Sequence, residues 1–293
     1  MAGIYKYALL TDSACDLPLE LEKQHGIDIL NFGIEINGKA CFERQDFTPE
    51  DFYEILRTAN GIPKTSQITT LRFLERFKTY DAAGCRHVLY VSINGTGSAT
   101  CGNAAMAKTL FFEERPHSQM KIDIIDSHTY SMGYGWYVAA AARKLKNGVE
   151  MAGVVSWLKE EFNKVEIVLA AYSLAHMKKS GRISAAAAIT GELLDIRPII
   201  GLNGGESTVY QKVRGNPGIH PALVEQVEAR RSGGLYMVGG TNAGDIALLA
   251  QLCKKRWGRA PACTFFLGSA VAANTGPNAI AIVFTGQPRR PSL

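Results

Sequence analysis

The chain lacks the residues and spacings that most staples and catalytic centres need. Its six cysteines (Cys15, Cys41, Cys85, Cys101, Cys253 and Cys263) include no C-x-x-C pair, and its six histidines never fall at zinc spacing. There is no H-E-x-x-H, no G-x-S-x-G elbow and no G-x-x-x-x-G-K-[ST] phosphate loop. Gly95-Thr96-Gly97 begins a dinucleotide-like pattern, but Thr100 stands where the third glycine belongs. No metal and no cofactor are therefore expected. Apolar runs such as Ile167 to Tyr172 fall far short of the roughly 20 residues of a membrane helix, so no stable membrane insertion is expected. Charge of one sign is scarce too. The 32 basic and 27 acidic residues leave +5, too diffuse to point to nucleic acid. Met1 to Tyr7 carries no signal-peptide pattern, so free thiols in a cytoplasmic protein are expected.

What is present is ordinary globular composition, 46% hydrophobic and 20% charged over 293 residues, long enough for two packed domains. Short β-rich runs alternate with helical patterns: Tyr7 to Leu10, Val88 to Val91 and Ile122 to Ile125 read as buried strands. Asp16 reads as the cap of a helix with Pro18 in its first turn, stopped by Gly26. Ile27 to Ile36 turns at Asn37-Gly38, a hairpin signal, and Thr48-Pro49-Glu50-Asp51 opens a capped helix. Gly61 to Thr69 reads as a loop, and Gly95 to Gly102 as the opening of a long helix. After Gly148 come a helix over 151–162, a strand over 165–171 and an Ala-rich helix fed by Gly181. A hairpin follows around Asn203-Gly204-Gly205-Glu206, then a β-α-β unit and a last strand at Ile280 to Phe284. The expected fold is α/β in two domains. An N-terminal Rossmann-like, mostly parallel sheet occupies 1–160, and a smaller C-terminal α/β domain occupies 161–293.

In such sheets ligands bind beyond the carboxyl ends of strands. The loops there are rich in small hydroxyl residues: Thr11 to Ser13, Ser92 to Ser98, Asp126 to Gly133 and Ala273 to Asn278, with Lys64-Thr65-Ser66-Gln67 before a helix. Gly95 to Gly97 at a helix start offers backbone N–H groups to an anion, joined by hydroxyls of Thr65, Ser66, Ser92 and Thr96. The same residues also serve as ordinary caps and turns. Ser127 and His128 are adjacent, a spacing that diverges rather than pairs a nucleophile with a base. The basic run Lys178-Lys179-Ser180-Gly181-Arg182 reads either as a solvated face or as a docking surface for a phosphate-bearing partner.

Taken together these segments resemble the DegV family of bacterial fatty-acid-binding proteins, acyl-carrier subunits of fatty acid kinase. Thr11 to Pro18 looks like its first-strand motif, Thr65-Ser66-Gln67 is similar to T-S-Q-P, and Asp126 to Gly133 resembles D-S-x-x-x-S-x-G. The longest match runs from Ser180-Gly181-Arg182-Ile183-Ser184 through Leu193 to Ile199 and on to Lys212-Val213-Arg214-Gly215. Two loops depart: Ile93 replaces a serine of S-S-x-x-S-G-T, and Asn274 replaces the histidine before T-G-P.

The resemblance implies a long-chain fatty acid bound between the domains, with its carboxylate held by Thr65 and Thr96, then Ser66, Ser92, Gly97 and Asn274. It also implies a partner, the ATP-binding subunit of fatty acid kinase, met at Arg182. Ala185 to Ile189 and Leu193-Leu194 are the expected tail liners. The chain itself is then a carrier, not an enzyme. Two other readings stay open. One is a serine-dependent lipid or ester hydrolase using Ser66, Ser92 or Ser127; the other is a lipid-responsive regulatory protein.

Overall fold

A computed structural model describes residues 7–172, 174–187 and 195–289. The first half is β1 (Ala8–Asp12), α1 (Leu19–His25), β2 (Asp28–Leu30), β3 (Gly33–Ile36), β4 (Lys39–Phe42), α2 (Pro49–Thr58), β5 (Lys64–Ser66), α3 (Thr70–Ala82), β6 (His87–Ser92), α4 (Thr100–Glu114), β7 (Lys121–Asp126), α5 (Met132–Lys146) and α6 (Met151–Phe162). Strands β2-β1-β6-β7 form a wholly parallel sheet. Helix α3 packs on α4, and α5 packs on α1 and α6. A small antiparallel sheet, β4-β3-β5, stands beside it.

Local chemistry explains most of these elements. Asn37-Gly38 turns the β3–β4 hairpin, with Asn37 and Gly38 both at positive φ. Thr48 and Asp51 form a reciprocal capping box on α2. Four expectations are corrected. Thr11 and Asp12 belong to strand β1, not to a loop. Asp16 does not cap α1, which begins after Pro18; it is the left-handed residue closing a 3₁₀ turn over Ser13–Cys15. Its carboxylate turns inward to accept from Ser131 instead. The loop before α3 contains β5, because Thr65 and Ser66 pair with Ile34 and Gly33. Helix α4 starts at Thr100, well past Gly95.

The second half is β8 (Val165–Ala171), α7 (Ala175–Ser180), α8 (Ser184–Ala187), β9 (Ile196–Asn203), β10 (Glu206–Arg214), α9 (Ile219–Glu228), β11 (Arg231–Gly240), α10 (Ala243–Trp257), β12 (Thr264–Phe266), α11 (Ser269–Thr275) and β13 (Ala279–Gly286). Its sheet runs β10-β9-β8-β13-β11-β12, antiparallel except for the β11–α10–β12 unit. The sequence pattern does not mark α7, α9 or α11. The expected loop around Asn274 is in fact the last turn of α11.

This second sheet is apolar on both faces. Val168, Ala170, Ile280 and Ile282 point to a core completed by α9 and α10. Their neighbours Ile167, Leu169, Ala281 and Val283 point the other way, into the large core shared with the parallel sheet. The carboxyl ends of β1, β6 and β7 therefore meet the inner face of the second sheet. All six cysteines are free thiols. Among the described residues no helix is long and apolar enough to cross a membrane, and no group of ligating side chains could hold a metal ion.

Candidate functional site

Between the strand ends and the inner sheet face lies a cavity of about 950 Å³, within the roughly 300–1,000 Å³ of ligand pockets. Its floor is apolar: Ile167 and Leu169 of β8, Leu202 of β9, and Ala279, Ala281 and Val283 of β13. Its opposite wall is polar, made by Thr65, Ser66 and Gln67 at β5, Thr96, Gly97 and Ser98 after β6, Tyr130 and Ser131 after β7, and Asn274 on α11. Arg182 and Glu206 add charged groups to the lining, and Phe265 of β12 adds an aromatic one.

The wall is fixed by buried polar groups beneath it. Asp12, fully buried, accepts from the hydroxyls of Tyr90 (2.9 Å) and Tyr134 (2.5 Å) and from the Ile93 backbone (2.9 Å), which pins the strand exit leading to Thr96. Burial pushes its carboxyl up to about 6, against those hydrogen bonds. Asn94, also fully buried, is the hub of the next turn. Its amide donates to Thr96 Oγ1 at 2.8 Å and to the Tyr130 hydroxyl at 2.7 Å, and its carbonyl accepts from the Thr96 backbone at 3.3 Å. Thr96 Oγ1 lies 3.5 Å from the Gly205 carbonyl, too far to be held by it. The amide thus donates to both hydroxyls, whose own O–H groups are left available to donate elsewhere. Gly97 must be glycine here, since a Cβ would fall 2.4 Å from the Tyr130 oxygen.

Helix α11 is held by a second buried group. Glu43 accepts from the Ala270 backbone at 3.0 Å and from Ser13 at 2.6 Å. Asp16 and Glu43 crowd Gly268, where a Cβ would fall 2.4 Å from Asp16 Oδ1 and 2.8 Å from Glu43 Oε1. Burial first, and then the Glu43 charge, raises the Asp16 carboxyl well above its usual range; burial raises Glu43 as well. Ser131, which donates to Asp16, has φ 56° and ψ −143°, a sparsely populated backbone held by that contact. These groups set the position of α11, and so of Asn274, whose amide donates to the Ala270 carbonyl at 2.7 Å and keeps a second N–H.

The structure thus gathers Thr65, Ser66, Thr96, Gly97, Asn274 and Arg182 on one cavity. Ser92 is not brought there; it is fully buried behind the wall, 3.2 Å from the Tyr90 hydroxyl. The backbone anion nest expected at Gly95 to Gly97 is not free either. Gly95 N–H donates to the Asp126 carboxylate at 3.0 Å, and Gly97 N–H donates to the Asn94 carbonyl at 3.2 Å. Ser127 is buried and donates to the Thr129 carbonyl, whereas His128 turns toward Asp126, so the pair does diverge. Of the expected tail liners, Ala185 and Ala186 are buried in the core, Ala187 is exposed and off the cavity, and the wall takes Ile183 and Ser184 instead; 188, 189, 193 and 194 lie outside the described residues. Tyr130 and Asn94 were missed because their role depends on each other across two loops.

The family model described as DegV, an uncharacterised protein family, matches residues 6–287. A DegV domain-containing protein of Clostridium perfringens is 29% identical, over 98% of this chain and 99% of its own. A fatty acid binding DegV family protein from Streptococcus agalactiae is 28% identical with a TM-score of 0.84, covering 97% of this chain and 99% of its own. A stearic acid-binding protein from Eubacterium ventriosum shares the fold at 22% identity, with a TM-score of 0.86 and coverage of 96% and 98%. With residues 6–287 matched by the family model, the chain belongs to the DegV family.

Proposed function

We propose that this chain binds one long-chain fatty acid in the cavity and presents its carboxylate to a partner kinase subunit for phosphorylation. The observation that carries the reading is the cavity of about 950 Å³ that joins a hydroxyl-bearing wall to an apolar sheet face. Two fold neighbours are described as fatty acid binding and stearic acid-binding, which supports the same ligand class. A palmitate-like tail has about fourteen methylenes, whose burial gives roughly 11 kcal/mol gross at about 0.8 kcal/mol each. Lost freedom takes back several kcal/mol of that. Hydroxyl donors from Thr65, Thr96 and Ser66, with Asn274, orient the head group rather than dominate affinity.

Arg182, exposed and on the cavity lining, is the residue assigned to the kinase subunit or to the acyl phosphate. The chain supplies position and shelter from water, while nucleotide and metal belong to the partner, in the bacterial cytoplasm. A domain division near residue 160 fits this reading, since the strands of the two large sheets lie on either side of it. Burial of Ser92 and Ser127 weighs against those two serines as hydrolase nucleophiles, and Ser66, which does line the cavity, has no histidine beside it among the described lining residues. Native mass spectrometry of the purified protein, with denaturing extraction of bound small molecules, tests the proposal. A stoichiometric fatty acid supports it. An empty protein that also refuses palmitate and oleate overturns it.

A further inference from the structure

The strand order gives the cavity two lateral ends. In the second sheet β9 and β10 lie at one edge and β12 at the other, with β8, β13 and β11 between them. Gly205 and Glu206, at the β9–β10 turn, line the cavity at the first edge, near Thr96. Phe265 of β12 lines it at the second. Spacings of about 4.8 Å from β9 across to β12 separate those edges by roughly 19 Å, comparable with an extended long-chain acyl group.

Phe265 is placed to end that path. It pairs with Gly239, which pairs with Ala281, which pairs with Leu169, so these positions share the floor of the cavity. A Cβ on Gly239 would fall 2.2 Å from the Phe265 ring, so the ring lies across the floor in the space that glycine leaves. The ring is 5% exposed. The space between β12 and α10, lined by Ala243, Ile246, Ala247, Thr264 and Phe266, lies on the opposite face of the sheet, so the strands themselves close the floor beneath the ring.

We propose that Phe265 is the end stop of the acyl tail, setting the longest unbranched chain the cavity accepts by filling its floor over Gly239 at the β12 edge. The inference rests on the fatty acid reading above. Removing the ring frees the floor over Gly239 and lengthens the path toward the β12 edge by about the depth of the ring. A larger ring shortens the path.

The test uses the full chain stripped of lipid, with saturated straight-chain acids from lauric to behenic displacing a fluorescent fatty acid. Wild type is expected to disfavour the longest acids. F265A should bind arachidic and behenic acids about tenfold more tightly than wild type, and lauric acid within about threefold of it, as expected when only the far methylenes gain wall. F265W should move the preferred length downward, and F265L gives a smaller upward shift should F265A not fold. A folded F265A or F265L with the wild-type length ranking overturns the end stop and leaves fatty acid binding standing. A wild type that binds none of the acids overturns both.

Discussion

Replacing Asp12 by asparagine isolates the ionisation that the head-group wall is built around. Burial moves this carboxyl from 3.8 to about 6, although two tyrosine hydroxyls and the Ile93 N–H hold it. At 1.36 kcal/mol per pH unit the shift is worth about 3 kcal/mol. Its sign follows from proton counting. Between the two values the folded chain holds a proton that the unfolded chain has released, so stability falls as pH rises. The contribution is fully present below about pH 3.8 and lost through about pH 6. Asp16 and Glu43 are also raised and slope the same way, so the wild-type profile alone would mix three groups. Urea unfolding followed by tryptophan fluorescence, for wild type and D12N, separates them. The amide leaves three donors to share one carbonyl oxygen, which costs D12N about 1–3 kcal/mol at acid pH. From about pH 4 to about pH 7.5 the wild-type advantage over D12N should then fall by about 2 kcal/mol, the rest of the shift being lost below pH 4. A difference that stays flat, or grows with pH, refutes the reasoning.

The cavity wall supports further expectations. Thr65→Ala or Thr96→Val should weaken fatty acid binding by about 1–3 kcal/mol through a lost head-group bond; wild-type affinity in both, by calorimetry, would remove these hydroxyls from the site. Arg182→Ala should leave lipid affinity intact while lowering acyl phosphate formation with the kinase subunit, and equal loss of both would contradict a docking role. Asn274→His should fold, because the side chain is only half-buried at the cavity edge. It should also bind the carboxylate more tightly below about pH 6.5, where the imidazole is charged; unfolding of the variant would show that the end of α11 admits only a short side chain.

Elements governed by local chemistry were legible in the sequence. The Asn37-Gly38 hairpin, the Thr48 capping box and the β8 run over 165–171 all formed as their own residues dictate. Asp16 shows why others were not. As a helix cap it would face solvent, yet Ser131, distant in sequence, draws it inward and α1 begins without it. Helix α11 is similar: a seven-residue, small-residue helix has too little periodicity to announce itself, and it persists because Glu43 binds its first turn and Ala272 and Ala273 pack on Phe52 and Tyr53.

The same contrast divides the candidate site. Its polar wall is drawn from short segments rich in Ser, Thr, Asn and Gly, so Thr65, Thr96 and Asn274 could be picked out beforehand, although Thr65 proves to lie on β5 and Asn274 on α11. Its floor carries no such mark. Every residue of β8 is buried, so a strand with two apolar faces cannot say which one meets a ligand and which one meets α9. Only pairing across the sheet decides that, and Phe265 over Gly239 is such a pairing, between residues of β12 and β11 that no local pattern connects. Under the fatty acid reading proposed above, the head group would meet segments whose chemistry the sequence shows, whereas the tail would meet a floor set by register. Substitutions along that floor, at Phe265 first, would then change tail preference and leave the polar wall as it is.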